Sequence, residues 1–116
     1  MQADIKLYIR AQRQSGGVAI GPGKIALLEA ISETGSITAA AKKLGMSYRR
    51  AWLLVQETNS CLVEPAVTAA AGGHAGGGSA LSATGRALVQ RYRELERQTA
   101  VASARKLRKL LRILPG

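Results

Sequence analysis

The residues of this sequence best equipped to recognise another molecule are Ser47, Tyr48, Arg49 and Arg50, consecutive at a point where a helix is expected to begin. An arginine fork binds guanine O6 and N7 together, or it binds a phosphate, and the sequence does not choose between them. One arginine reading a base while the other holds the backbone fits the pair. Ser36 and Thr38 open the preceding helix, where a hydroxyl caps free amides or hydrogen-bonds a phosphate, roles that are compatible. His74 sits among glycines; contact with a minor groove or phosphate competes there with simple exposure, which is the preferred reading. No catalytic constellation stands beside these residues. The 7 carboxylates are scattered, a single histidine offers no base for a serine or cysteine dyad, and no GxxxxGK[ST] loop occurs. The run GGHAGGGS lacks the Lys-Ser/Thr and the strand-to-helix unit of a phosphate cradle. A non-enzyme without a cofactor is expected.

The balance of 17 Lys+Arg against 7 Asp+Glu leaves a formal charge of +10 on 116 residues. Such a field draws polyanions, with nucleic acid the first candidate and an anionic membrane surface the second. Arg105, Lys106, Arg108, Lys109 and Arg112 crowd towards the end of the chain as a solvated or phosphate-attracting arm, whereas Arg49 and Arg50 form an isolated central pair. The length fits one domain, and a two-domain sensor is hard to accommodate. One cysteine, Cys61, excludes an intrachain disulfide, and one histidine excludes a zinc finger. Aromatic residues supply 3% and Phe is absent, so the core falls to Leu, Ile, Val and Ala, which suits small helical units. Apolar runs fall far short of the roughly 18 residues that span a bilayer. The opening MQADIKLYIR is not a signal peptide, and a cytoplasmic location is expected.

Residues 4–10 alternate, with Ile5, Leu7 and Ile9 on one side, which predicts a strand. Val18 and Ile20 alternate again and close a hairpin. After Gly21-Pro22-Gly23, Ile25, Leu27, Leu28 and Ile31 line a first helix ended by Gly35. Ser36 caps a second helix carrying Ile37, Ala40, Ala41 and Leu44, which ends at Gly45. Ser47 caps a third, over 48–59, with Ala51, Leu54, Val55 and Thr58 inward. Two short helices separated by about three residues, with alanine at the crossing and glycine in the turn, meet the requirements of a helix-turn-helix, although a structural helix hairpin shares the pattern. Gln56 is placed past the groove floor. Trp52 is assigned to core or interface, since duplex DNA offers no unstacked base. Residues 65–71 and 79–82 predict two strands around Gly72 to Gly78, read as a wing, with a mobile linker as the alternative. From Thr84 onward no breaker occurs before Pro115, and Leu88, Tyr92, Leu95, Thr99, Ser103, Leu107, Leu110 and Leu114 mark a helix of about 30 residues, roughly 45 Å long. A body of this size cannot cover it, so a second copy is the expected partner.

The segments GPGKIALLEAISETGSITAAAKKLGMSYRRAW, VEPAV, GGHAGGG and LSATG resemble the N-terminal winged helix-turn-helix domain of the ModE family, molybdate-responsive bacterial transcription regulators. The LysR family shares the SITAAAKKLGMS pattern more distantly, without the leading hairpin. The resemblance implies a mainly α fold with small β elements: a DNA-binding domain over 1–83, including the N-terminal hairpin, and a dimerisation helix with a basic tail over 84–116. It implies a homodimer on a pseudo-palindromic site in double-stranded DNA, with Ser47, Tyr48, Arg49 and Arg50 at a major groove, and a link to molybdate-transport or molybdoenzyme genes. The chain ends at Gly116, before that family's molybdate-binding domains, so no molybdate site is expected here. His74-Ala75 replaces an expected basic residue in the wing. The alternatives are a winged-helix regulator unrelated to molybdenum and a protein-interaction module that does not bind DNA.

Overall fold

Alternation of Ile5, Leu7 and Ile9 predicts a strand over 4–10, but the first ladder begins later. The computed structural model describes residues 2–13, 16–70 and 78–116, with β1 at Ile9–Arg13 antiparallel to β2 at Gly16–Ile20 and Ile9 opposite Ile20. β2 runs straight into the next helix at Pro22, so it offers a backbone partner only to residues 9–13, and residues 2–8 lie outside any ladder. Periodicity reports which side chains turn inward; it does not report whether a partner strand exists. Leu7 and Ile9 do turn inward, onto a small core of Ile20, Ile25 and Tyr92. Residues Gln2 to Lys6 instead line a groove with Ser103, Ala104 and Leu107 of the last helix.

Helix α1 spans Pro22–Thr34, with proline in its first turn, where a missing amide costs nothing. Helix α2, Ile37–Leu44, starts where the Ser36 hydroxyl accepts from the Ala39 amide at 2.9 Å. Helix α3, Tyr48–Cys61, starts where Ser47 accepts from the Arg50 amide at 3.1 Å. Gly45 turns the chain between them with φ of 70°, the left-handed region that a β-carbon disfavours. Strands β3 (Val67–Ala70) and β4 (Gly78–Leu81) pair antiparallel with Val67 opposite Leu81. β3 starts two residues inside the expected 65–71, and β4 lies one residue earlier at both ends than the expected 79–82. Helix α4 then runs over Ala83–Leu111. The order is the expected one: mainly helical, with a hairpin before the helices and a long helix at the end.

The main core joins Leu27, Leu28 and Ile31 of α1 to Ala40 and Ala41 of α2, Ala51 and Val55 of α3, and Ala66, Val67 and Leu81 around the second hairpin. Small residues on α2 let α1 and α3 close upon it. Asn59 fastens the end of α3 to the hairpin: its Oδ1 accepts from the amides of Ala66 at 2.8 Å and Val67 at 3.1 Å. Ser82 caps α4 by accepting from the Gly85 amide at 3.1 Å, and donates to the Pro65 carbonyl at 2.6 Å.

Tyr92 connects α4 to the N-terminal segment. It is 2% exposed, and its hydroxyl donates to the Leu7 carbonyl at 2.6 Å. Burial, aided by the Glu96 carboxylate, raises its pKa above the ordinary tyrosine value. Below a pH of about 10 the phenol is neutral in both folded and unfolded chains and its contribution is intact. As the pH climbs further, the unfolded chain loses the proton first, so stability falls until the raised folded value is passed. Tyr92→Phe is expected to cost about 1 kcal/mol at neutral pH and to remove this part of the alkaline loss. Denaturant titrations of both proteins between neutral and strongly alkaline pH check this, and identical alkaline slopes would contradict it.

Candidate nucleic-acid interface

The buried side of α3 is set by Ala51, Val55 and Thr58, with Leu54 half-buried beside them. At about 100° per residue, the opposite side is occupied by Arg49, Trp52, Leu53 and Gln56, spaced i, i+3, i+4 and i+7. All four are exposed, as are Ser47 and Tyr48 at the helix start. Trp52 and Arg50 stand at the two edges of this side, Trp52 towards Val55 and Arg50, also exposed, towards Leu54 and Glu57. The two arginines therefore present different sides of one helix.

Ser36 and Thr38 stand at the start of α2. The Ser36 hydroxyl is engaged as a cap, which still leaves its remaining hydrogen-bonding capacity free, and Thr38 is exposed in the first turn. The amide of Ser79 donates to the Gly35 carbonyl at 2.8 Å and holds β4 against the α1–α2 turn. Thr34, Ser36, Ser79 and Arg86 share the cleft formed there. The helix start and the second hairpin are thus fixed beside each other. His74 and the glycine loop fall outside the described residues.

Glu29 and Glu96 bind Arg93, Glu94 binds Arg97, Glu33 binds Lys43, Glu57 binds Lys24 and Asp4 binds Lys6. The carboxylates at Arg93 hold its guanidinium protonated still more firmly than usual. Glu64 accepts from Thr84. Every side-chain carboxylate is accounted for in these contacts, so among the described residues Lys42, Arg49 and Arg50 have no carboxylate partner, and neither have Arg10, Arg91 and the basic residues of 105–112. Their positive charge is left for an external anion.

Of the two places expected for Trp52, core or interface, the structure excludes the core: it is 44% exposed on α3. Its place in the helical period is the edge of the buried side, about 100° or more from Ala51 and Thr58 but about 60° from Val55, so its ring is covered only in part. Leu53, 42% exposed, carries no mark in the sequence motif, and Gln56, expected past the groove floor, is exposed on the same side. The signal that would have found them is the inward set itself: positions i, i+3, i+4 and i+7 from Arg49 are what remains once Ala51, Leu54, Val55 and Thr58 are turned inside.

No protein-family model matches the chain. It is 49% identical over 80 residues to the molybdenum-pterin-binding protein MopB of Rhodobacter capsulatus, a match covering 69% of the chain and 30% of that protein. It is 45% identical to the molybdenum transport protein ModE of Azotobacter vinelandii over 80 residues, with the same shares. Against the DNA-binding transcriptional dual regulator ModE of Escherichia coli (strain K12) it is 38% identical over 92 residues, 79% of the chain and 34% of that protein. The chain spans about a third of the length of the curated relatives it matches. These relatives are named as molybdenum-binding and regulatory proteins rather than enzymes, and they support the ModE family.

Proposed function

We propose that this chain is the winged helix-turn-helix DNA-binding unit of a ModE-type transcription regulator, cytoplasmic and without catalytic activity. In this reading residues 1–83 form the DNA-binding domain, α3 lies in a major groove, β3–β4 is the wing and 84–116 joins two copies. Ser47, Tyr48, Arg49 and Arg50 face the DNA, Ser36 and Thr38 hold a phosphate at the start of α2, and His74 lies at the wing tip. The observation that carries it is the exposed first turns of α3, whose arginines have no carboxylate partner among the described residues while every acidic side chain is engaged elsewhere. The names of the relatives favour ModE over LysR, and with it control of molybdate-transport or molybdoenzyme genes. No molybdate site is proposed within residues 1–116.

Homodimerisation is supported by α4, about 44 Å long, on which Val101 is 80% exposed and Leu110 51%. Leu95 borders an apolar groove with Ile9, Ile20 and Leu88. Two copies on one duplex predict a pseudo-palindrome with half-sites about one or two helical turns apart.

Selection of bound sequences from random duplex DNA tests the reading directly. Enrichment of a two-fold symmetric motif is expected, with log affinity falling linearly against log salt by about 0.9 for each phosphate neutralised. Failure to enrich any motif, together with salt-independent binding or none, would refute it and favour a protein-interaction module.

A further inference from the structure

We propose that Trp52 and Leu53 read thymine C5-methyl groups in the recognised half-site, an inference that rests on the DNA-binding reading and names what that site selects. Beyond Tyr48 at the helix start, two large apolar side chains, Trp52 and Leu53, stay in water on α3, while Ala51, Leu54 and Val55 are packed inward wholly or in part. They flank the line from Arg49 to Gln56, and Lys42, Arg49 and Arg50 nearby have no carboxylate partner among the described residues. The surface that fits such a face is negatively charged at its edges and apolar at points along its floor. The major groove of B-form DNA meets both conditions: phosphates border it, and its apolar group is the thymine methyl. Helical RNA has the phosphates but not the methyl, and its major groove is too deep and narrow for side chains to read. Leu53 lies one turn beyond Arg49, a rise of about 6 Å along α3. At about 3.4 Å per base pair, this sets the thymine one or two steps from the base that Arg49 meets.

The test uses the full chain and a duplex enriched from random DNA, with each thymine of a half-site replaced in turn by deoxyuridine, which removes the methyl and nothing else. Burying one such group corresponds to about a four-fold change in affinity. The unmodified protein is expected to lose about four-fold at one or two positions. Trp52→Ala or Leu53→Ala, each confirmed as folded by circular dichroism, should bind the thymine and deoxyuridine duplexes equally at the position its side chain reads. Deoxyuridine without effect at every position overturns the inference while leaving DNA binding intact, and so does a deoxyuridine penalty that persists unchanged in both variants. If the pair serves a second copy instead, either variant lowers the sedimenting mass and leaves methyl discrimination as it was, which also overturns it. Absence of binding to any duplex removes the DNA-binding reading itself, and this inference with it.

Discussion

Gly85→Ala is expected to destabilise the fold by about 3 kcal/mol, a large fraction of what a domain of this size possesses. A β-carbon built on Gly85 overlaps the carbonyl oxygen of Ala66 and lies 3.0 Å from its carbonyl carbon and 3.1 Å from its Cα. All three are backbone atoms, so no side chain can swing aside. Ala66 is itself fully buried in the main core, its carbonyl accepts from the Ser82 amide at 2.8 Å, and its amide is held by Asn59. Relief therefore requires moving α4 away from the second hairpin, which breaks the Ser82 cap or the strand contact. Gly23→Ala is the matched control: it lies in the first turn of α1, and nothing stands within 4 Å of its β-carbon. That change should be neutral or stabilise by up to about 1 kcal/mol through helix propensity. Denaturant midpoints of the two variants measure the difference, and equal midpoints would show that the close approach at Gly85 is not tight.

Arg49→Ala and Arg50→Ala should weaken DNA binding in different ways. Arg49 shares the outward line of α3 with Leu53 and Gln56, so a bidentate contact to a guanine edge is available to it. Its removal is expected to cost about 1–3 kcal/mol, with relaxed discrimination at one base pair. Arg50 is turned to the flank, and its loss should weaken binding to all sequences alike and reduce the salt slope by about 1. Arg49→Lys separates charge from geometry: an ammonium keeps the attraction to phosphate but not the two parallel hydrogen bonds of the fork. Affinities of the three variants for the selected duplex and for its single-base substitutions, at several salt concentrations, decide the matter. Uniform weakening in Arg49→Ala would assign that side chain to the backbone instead.

Much of the helical part was legible because its signals are local. Ser36 and Ser47 cap the helices that follow them, Gly45 supplies the turn, and Ile25, Leu27, Leu28 and Ile31 fall where α1 buries them. Position within the candidate site was legible only in part. The motif at Ser47 to Arg50 marked the helix start, but the sequence treated Arg49 and Arg50 as interchangeable, sent Trp52 to core or interface and passed over Leu53. Each of those depends on which side of α3 faces α1 and α2, and so on packing between elements. The N-terminal strand was misplaced for a related reason: residues 4–8 have the period of a strand but no partner for their backbone.

The amino-acid order by itself determined where the helices begin, most of the residues that each turns inward, and that the chain carries a strong positive charge. These follow from capping, helical period and composition, whose energies act within a few residues. Only the tertiary structure decided that Gly85 meets Ala66, that Tyr92 reaches Leu7, and that Glu29 of α1 pairs with Arg93 of α4. Those contacts join segments far apart in the chain, and their energies exist only once the whole core has closed.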